Sequence, residues 1–379
     1  MKYLVLIIPL LLSLSCRPRP AEPQTAQGLI RATADYLWSQ QDIDGGWHSP
    51  THGIASGGES WTPFILYHLL QVPDSIFVQD SAAVQKGLNF IRERISTSGI
   101  LGTNDPIVSD YPNYASAYAF QLLFEHGDDQ DLEMQARITR YLVSQHMTAE
   151  RGFEPEDDAY GGWGFGETRL PSGTPGHVDL SHTRRVVEAL SKAGVDNSVM
   201  HSAQVYLRRA QKIDGVTGIQ TTGYDGGFFA SPVVPGVNKG GRSPATASSE
   251  AYYRSYATAT SDGILALRAT GVSPDDSRIL DALKWLSQNP DLRVPAGIPE
   301  SSPVRWDRVM FYYHLYSRSE TYSIYGGPDG WKSEVVGLLR DRQDVDGSFA
   351  NPEGGPNKED DPLIASTFAL HALLRTLGS

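Results

Sequence analysis

Apolar residues along this chain recur in paired segments, and the two members of each pair carry different patterns. In the first members they follow a spacing of three and four, as in residues 273–289, where Ile279, Leu283 and Leu286 share one helical face. The second members, such as residues 367–378, are apolar on most sides. Amphipathic helices cover a core, whereas helices that are apolar all round are buried in one. Since strand-like alternation is scarce, the pattern predicts an all-α fold with an outer and an inner ring of helices.

The paired segments are joined by glycine- and aromatic-rich turns that repeat along the sequence. The clearest copies read QQDIDGGWHS at residues 40–49 and RQDVDGSFAN at residues 342–351. Each repeat is then one helical hairpin, which cannot bury its apolar face alone and must stack on its neighbours. Counting the weaker copies, we expect six hairpins packed as one domain over residues 28–379.

Composition narrows the range of partners. The chain has 379 residues, of which 40% are hydrophobic, and its net charge is −12. A nucleic-acid partner needs a basic face that neutralises phosphates, so the acidic balance excludes that class of partner.

The first residues carry the features of an export signal. Met1 and Lys2 are followed by an apolar stretch that is too short for a stable membrane span, and small residues precede Cys16. The sequence LSLSC resembles a bacterial lipoprotein signal, in which the cysteine is acylated; an ordinary signal peptide cut at a nearby serine is the alternative. We expect a signal peptide at residues 1–15, a proline-rich tether at residues 16–27, and a protein anchored by lipid to a membrane of the bacterial cell envelope.

Three longer phrases carry a family resemblance together with the repeated turns. They are GGWGFG at residues 161–166, EAYYRSYATATSDGILAL at 250–267 and MFYYHLYSRSETYSIYG at 310–326. With them, essentially all of residues 28–379 resembles the squalene–hopene cyclase and protein prenyltransferase superfamily, in particular its bacterial cyclase-like branch. The resemblance implies an α/α toroid of six hairpins that closes head to tail around a cavity. It also implies an isoprenoid or other apolar ligand, and cyclase or isomerase chemistry.

In the fold of this family, the glutamine of the repeated turn braces it and the aromatic residue packs over it. Gln41 with Trp47, and Gln343 with Phe349, are therefore expected beside a helix terminus as structural groups. Glycines such as Gly45 supply backbone angles that side chains forbid. Calcium binding is a rival interpretation, because DIDG and DVDG resemble the start of an EF-hand loop. It fails because Trp47 and Phe349 stand where that loop needs glycine or further oxygen ligands.

The proton donor of the family is missing at the best-matching position. The cyclases carry an Asp-x-Asp-Asp stretch before an inner helix, and its middle acid protonates an alkene. The counterpart here is DLSHTRRVVEAL at residues 179–190, with Asp179 in the first acidic position and Ser181 and His182 in place of the other two. Asp179 and His182 are the catalytic candidates that remain. A plain N-cap of the following helix is the competing interpretation of Asp179.

Metal chemistry of the related enzymes is not supported by the sequence. Cys16 is the only cysteine, so the folded part has neither a thiolate nucleophile nor a cysteine ligand for zinc. Aspartate-rich stretches at residues 128–131 and 155–160 do not reproduce the Asp-Asp-x-x-Asp pattern that holds magnesium in diphosphate-ionising synthases. We expect no metal and no other cofactor.

Aromatic residues near the hairpin junctions are the candidates for a cavity wall. Aromatic faces stabilise carbocations by about 1–2 kcal/mol each, and such rings also suit a flat ligand or a sugar. Ordinary core packing is the alternative, and we expect it for many of them. The candidates, with one histidine, are Trp61, Trp163, Phe165, His177, Tyr252, Tyr253, Tyr256, Tyr312 and Tyr313.

Two other functions remain open from the sequence. α/α toroids also carry glycosidases and polysaccharide lyases, and such an enzyme would need Glu156, Asp157 and Asp158, or Glu167, at one cleft. The other alternative is a non-catalytic surface protein that presents loops to a partner. The long insert at residues 214–250 would then be a partner loop, or otherwise a lid over the cavity. Fold alone does not decide between these functions.

Overall fold

A computed structural model describes residues 25–102, 110–166, 170–213, 223–244 and 252–378. Cys16, Glu167 and the predicted signal peptide lie outside these ranges, as do most of the tether and parts of the 214–250 insert. The predictions that concern them stay predictions.

The described residues form two sets of helices that alternate along the chain, and they contain no β-strand. The outer set comprises α1 (Ala26–Ser39), α3 (Ser81–Arg94), α5 (Leu132–Ser144), α7 (Asn197–Ala210), α9 (Ser277–Gln288) and α12 (Trp331–Arg340). The inner set comprises α2 (Trp61–Leu69), α4 (Pro112–His126), α6 (Leu180–Ala193), α8 (Ala257–Ala269), α11 (Phe311–Tyr325) and α13 (Pro362–Leu374). A single helical turn, α10 (Trp306–Val309), leads into α11. None of these helices is both long and apolar enough to cross a membrane.

The inner helices pack side by side into a closed ring. Each contacts the next in the order α2, α4, α6, α8, α11 and α13, and α13 returns to contact both α2 and α1. The outer helices pack around this ring. The all-α toroid predicted from the sequence is confirmed.

Burial separates the two sets of helices as their apolar patterns predict. In α13 every residue from Leu363 to Leu373 is buried, whereas in the outer helix α5 the buried residues are Ile138, Tyr141 and Leu142. Because an inner helix is enclosed by helices on several sides, its polar residues face other protein groups or the central space.

Aspartates fix where several of the helices begin. The side chains of Asp80, Asp196 and Asp276 each accept the backbone N–H two residues further on, at the starts of α3, α7 and α9. Such an N-cap satisfies one of the backbone donors that a helix leaves unpaired at its first turn.

Each repeated turn fastens an outer helix to the inner helix that follows it. The indole nitrogen of Trp47 donates to the carbonyl oxygen of Leu37 in α1 at 2.6 Å, and its backbone N–H donates to Thr62 Oγ1 in α2 at 2.9 Å. Trp163 makes the same pair of bonds between α5 and α6, and the backbone N–H of Phe349 donates to a serine hydroxyl in α13. We call these turns clasps, defined by residues 41–47 and 343–349 and their counterparts.

The glutamines of three clasps reach the next hairpin. Gln41 Nε2 donates to the carbonyl oxygen of Ala83 in α3 at 3.0 Å, and Gln211 reaches α9 in the same way. Gln343 Nε2 donates to the carbonyl oxygen of Leu29 in α1 at 3.1 Å. This last side chain links the final clasp of the chain to its first helix and so fastens the closed ring.

Glycine is required where a clasp lies on the backbone of the neighbouring helix. Gly347 has a φ of +90°, and a Cβ there would lie 2.3 Å from the carbonyl oxygen of Ala32 in α1. Gly45 has the same φ, and its Cβ would meet the carbonyl oxygen of Lys86 in α3 at 2.4 Å. Both the backbone angle and the close approach therefore exclude a side chain.

Replacing Gln343 by methionine should lower the free energy of unfolding by about 1–3 kcal/mol, because the amide donor to two oxygen atoms of α1 is lost. Gln40→Met is the matched control, since the Gln40 side chain is exposed and donates to its neighbour Ser39. The control should change stability by less than about 0.5 kcal/mol. Urea unfolding followed by circular dichroism measures both variants, and equal losses would contradict the role of the clasp.

Candidate functional site

A cavity of about 580 Å³ opens where the inner helices begin. Its volume lies in the range of about 300–1,000 Å³ that small-molecule sites occupy. Its lining comes from the first turns of α2, α4, α6, α8, α11 and α13, and from the loops that precede them. Apolar side chains on the inner helices form much of the wall: Trp61, Phe64, Tyr114, Tyr313, Ile364 and Phe368.

Seven of the residues singled out from the sequence line this cavity. They are Trp61, Phe165, His177, Asp179, His182, Tyr256 and Tyr313. Four of them belong to the hairpin of α5 and α6, and Trp61, Tyr256 and Tyr313 come from three other hairpins, so the closure of the ring is what brings these four hairpins together.

Four other predicted cavity residues do not line it. Trp163 belongs to a clasp, where its ring stacks on His146 with centroids 4.0 Å apart. Tyr312 and Tyr253 pack against phenylalanine rings, and Tyr252 lies in the loop before α8. The side chains of successive residues in a helix point about 100° apart. Tyr312 therefore points into the core, whereas the next residue of α11, Tyr313, faces the cavity. The core-packing alternative describes Trp163, Tyr253 and Tyr312, whereas Tyr252 is half-buried in its loop.

Asp179 lies between two imidazole rings at the start of α6. Its Oδ1 accepts hydrogen bonds from the backbone N–H of His182 and from Ser181 Oγ, and lies 3.0 Å from His182 Nδ1. Its Oδ2 lies 3.3 Å from His177 Nε2. The carboxyl is therefore the N-cap of α6 and, at the same time, the centre of a cluster that lines the cavity.

The surroundings of Asp179 keep its carboxyl ionised. The side chain is almost fully buried, and burial by itself raises the pKa of a carboxyl. The charge of His182 and the hydrogen bonds from His177 and His182 outweigh burial, and they hold the pKa of Asp179 well below its usual range. Asp179 is thus unsuited to donating a proton, and suited to orienting and stabilising an imidazolium.

His182 is the group through which this cluster can act on a ligand. Its Nδ1 faces Asp179, so Nε2 is the nitrogen left for the cavity. Its ring lies against Phe165, with centroids 4.7 Å apart, and near Tyr114 at 5.8 Å. A histidine held in this way by a carboxylate has a fixed orientation, and its free ring nitrogen can exchange a proton with a ligand.

A second carboxyl, Asp262 on α8, also lines the cavity. It accepts hydrogen bonds from the Tyr313 hydroxyl and from Arg184 Nη1, both at 2.7 Å. Burial raises the pKa of Asp262 above its usual value, although Arg184 and Arg185 oppose the shift. The two carboxyls of the cavity therefore have pKa values displaced in opposite directions.

Several lining residues were missed by the sequence reasoning. Tyr111, Lys239 and Lys358 come from three loops far apart in the sequence, and Asp262 lies inside an apolar helix. A signal for Asp262 was present, because a charged residue in the middle of a buried helix needs a partner. No comparable local signal marks the three loop residues.

The acids named for a carbohydrate-active enzyme do not reach the cavity. Glu156, Asp157 and Asp158 are exposed in the loop between α5 and α6, and none of them is a lining residue. Glu167 lies outside the described residues. Within the described part of the chain, no group of three or more histidine, cysteine, aspartate or glutamate side chains is arranged to hold a metal ion.

No family model and no curated relative matches the sequence. Solved structures do match its fold. The type II terpene cyclase MstE from Scytonema aligns with a TM-score of 0.54 and 14% identity, over 92% of this chain and 97% of the cyclase. One structure of a variant of this cyclase contains geranylgeranyl dihydroxybenzoate, its substrate.

An enzyme of another class shares the fold equally well. The GH76A alpha-1,6-mannanase from Salegentibacter sp. HEL1_6 aligns with a TM-score of 0.55 and 11% identity, over 93% of this chain and 98% of the mannanase. A protein from Actinoplanes aligns with a TM-score of 0.54 and 15% identity. At these identities the likeness shows a common toroid fold.

Replacing Asp179 by asparagine should lower the free energy of unfolding by about 2 kcal/mol or more at neutral pH, because the buried His182 and the half-buried His177 lose their contact with a carboxylate. The folded pKa lies below the unfolded one, so this stabilisation is present above about pH 4 and is lost as the pH falls. The difference between wild type and variant should therefore shrink as the pH is lowered from about 5 towards 3.

Asp80→Asn is the control for this substitution. Asp80 is also an N-cap, at α3, but its side chain is exposed. Asparagine caps a helix as well as aspartate does, so the control should change stability by less than about 0.5 kcal/mol at either pH. Denaturant unfolding at several pH values measures both variants. A loss for Asp179→Asn that is independent of pH would contradict the ionised state of Asp179.

Proposed function

We propose that this chain binds an isoprenoid or another apolar ligand in the cavity at the starts of the inner helices, and acts on it as a cyclase or isomerase. The observation that carries the proposal is the cavity wall, where Phe64, Tyr313, Ile364 and Phe368 meet from three hairpins. Such a wall removes apolar ligand surface from water, which is favourable by about 25 cal/mol per Å². Its aromatic rings also favour a carbocation, should one form.

His182 is the group that we assign to proton transfer on this ligand. Asp179 fixes its orientation and stabilises its charged form, as a carboxylate does for a general base. Protonation of an alkene needs a strong, neutral acid, and the ionised Asp179 does not supply one. The chemistry proposed is therefore an isomerisation of a ligand with an activated C–H bond, such as one beside a carbonyl group: the C–H bond breaks, the proton moves to His182 Nε2, and it returns to another carbon of the same ligand.

The terpene cyclase of the same fold supports the class of ligand, since it binds a geranylgeranyl compound. The identity between the chains is too low to transfer a reaction. The support for this chain comes from its own cavity, and the cyclase indicates only that a toroid of this size accommodates such a ligand.

Export belongs to the same proposal. Residues 1–27 carry the predicted signal peptide, Cys16 and the tether. Acylation of Cys16 would hold the toroid beside a membrane of the cell envelope, where isoprenoid compounds are concentrated.

Affinity should rise with the length of an isoprenoid alcohol. Geraniol, farnesol and geranylgeraniol each differ by one isoprene unit, and each buried CH₂ is worth about 0.8 kcal/mol. We expect at least about a tenfold gain in affinity per unit, until the cavity is filled. Tyrosine and tryptophan fluorescence titration measures the dissociation constants. Equal affinities for the three alcohols would contradict an apolar binding cavity.

A cavity-filling variant provides the matched control for binding. Ala259 lines the cavity on α8, and Ala259→Met should weaken geranylgeraniol binding by about tenfold or more, because the larger side chain takes ligand space. Ala136 lies on the outer helix α5 and does not line the cavity, so Ala136→Met should leave binding unchanged.

Replacing His182 by glutamine should separate binding from chemistry. The variant keeps a polar side chain of similar size but cannot carry a proton, so conversion should fall by about 10²–10⁴-fold while the ligand still binds. Incubation with geranylgeranyl compounds in D₂O, followed by mass spectrometry of the extracted ligand, measures deuterium incorporation. Incorporation that is unchanged in His182→Gln would exclude His182 as the proton carrier.

A carbohydrate-active enzyme is the second candidate, and one observation favours it. Asp179 and Asp262 line one cavity with pKa values displaced in opposite directions, which is how paired carboxyls divide the roles of base and acid. The mannanase of the same fold makes an α-1,6-linked mannoside the first substrate to test. Hydrolysis of α-1,6-mannotriose that is abolished in Asp262→Asn, with no binding of geranylgeraniol, would replace the first proposal by this one.

A further inference from the structure

Two lysines that line the cavity have no carboxylate of a described residue within ion-pair distance. Lys239 and Lys358 are both partly buried there. The other lysines of the described residues that are not fully exposed, Lys192 and Lys212, each form an ion pair with a carboxylate. Within the described part of the chain, neither Lys239 nor Lys358 has a carboxylate at ion-pair distance. A cation that is removed from water without a counter-ion is costly, so these two need an anion from elsewhere.

Lys358 meets Tyr111 across the cavity, although the two are far apart in sequence. Lys358 Nζ donates to the Tyr111 hydroxyl at 2.6 Å. These are also the non-glycine residues of the described chain with positive φ, at +61° and +45°. Tyr111 precedes α4 and Lys358 precedes α13, so two separate loops each hold a strained residue that lines the same cavity. Strain of this kind persists where the surrounding structure imposes it, and it clusters at ligand sites.

Each of the three side chains has at least one hydrogen-bond donor that no described residue accepts. An ammonium group has three N–H bonds. Lys358 uses one of them on Tyr111, whose hydroxyl then keeps its own hydrogen to donate. The Lys239 ammonium lies 3.7 Å from the centroid of the Trp306 ring and donates to no oxygen of a described residue. The group that would satisfy all three side chains is one that carries several acceptor oxygens.

Asp179 does not fill this role, although it lies in the same cavity. Its oxygens already accept hydrogen bonds from Ser181 and from the backbone of His182, and they face both imidazole rings. Its charge acts on Lys239 only at longer range. Burial lowers the pKa of Lys239, against that charge, which is consistent with an ammonium that lacks a close counter-ion.

We propose that Lys239, Lys358 and Tyr111 form a subsite for an oxyanion, a carboxylate or a phosphate, at one end of the apolar ligand. The proposal rests on the apolar-ligand function given above and narrows its substrate class to amphiphiles with an anionic head. The oxyanion accepts from both ammonium groups and from the Tyr111 hydroxyl, and the apolar tail lies against the aromatic wall. Charge-assisted hydrogen bonds of this kind are about twice as strong as neutral ones.

Ligands that share one tail test the head subsite. Geranylgeraniol, geranylgeranoic acid and geranylgeranyl monophosphate differ only in the head group, and calorimetric titration of the whole protein gives their affinities. We expect the acid, the phosphate or both to bind at least about tenfold more tightly than the alcohol at low salt, and the preference to shrink as salt is added. Comparing the affinities of geranylgeranoic acid and geranylgeranyl monophosphate shows which oxyanion the subsite prefers.

Substitutions test whether the three residues cause the preference for a ligand with an anionic head group. Lys239→Met, Lys358→Met and Tyr111→Phe should each reduce the preference for the anionic ligand over geranylgeraniol several-fold, with the larger loss in the affinity for the anionic ligand. Binding of the alcohol shows that each variant is folded. Lys284→Met is the control, because Lys284 is an exposed lysine of α9 away from the cavity.

The failures of the two proposals are distinguishable. Equal affinity for alcohol, acid and phosphate in the wild type overturns the oxyanion subsite and leaves the apolar-ligand function standing. A preference that survives in all three variants also overturns the subsite. If none of the three ligands binds, the apolar-ligand function itself fails.

Discussion

The structure depends on the clasp, the short turn that binds three helices at once. Its tryptophan, as at Trp47, ties the end of an outer helix to the start of the inner helix that follows. Its glutamine ties the turn to the next hairpin, and in the last clasp Gln343 returns to α1. An inner helix is buried only by its contacts with the neighbouring hairpins. The ring must therefore close before the inner helices are fully enclosed. The hydrogen bonds of the clasps set the spacing at which it closes.

Closure also creates the site. The inner helices all begin near one cavity, so every first turn and every preceding loop contributes to its wall. The carboxylate of Asp179 has two roles: it caps α6, and it contacts the imidazole rings of His177 and His182. The same contacts that start the helix keep the carboxyl ionised. Asp179 thereby supports the orientation of His182.

The charged side chains give different parts of the cavity wall different chemical properties. Asp179 is held ionised beside His182. Asp262 accepts hydrogen bonds from Arg184 and from the Tyr313 hydroxyl. Two further cations, Lys239 and Lys358 on separate loops, have no carboxylate within ion-pair distance among the residues that the structure describes. Proton transfer, apolar packing and anion binding can therefore take place in one space, because each depends on different side chains of the same wall. An amphiphilic ligand would use all three, whereas a sugar would use chiefly the carboxyls.

The sequence by itself determined the helices, their division into outer and inner sets, the repeat and the clasps, because periodicity and turn chemistry act over a few residues. It also indicated Asp179 and His182, which are neighbours in one turn. Only the tertiary structure decided which aromatic side chains face the cavity, and it alone joined Tyr111 to Lys358. Those contacts depend on the angle of each helix and on the closure of the ring, which are long-range properties that no local pattern of residues encodes.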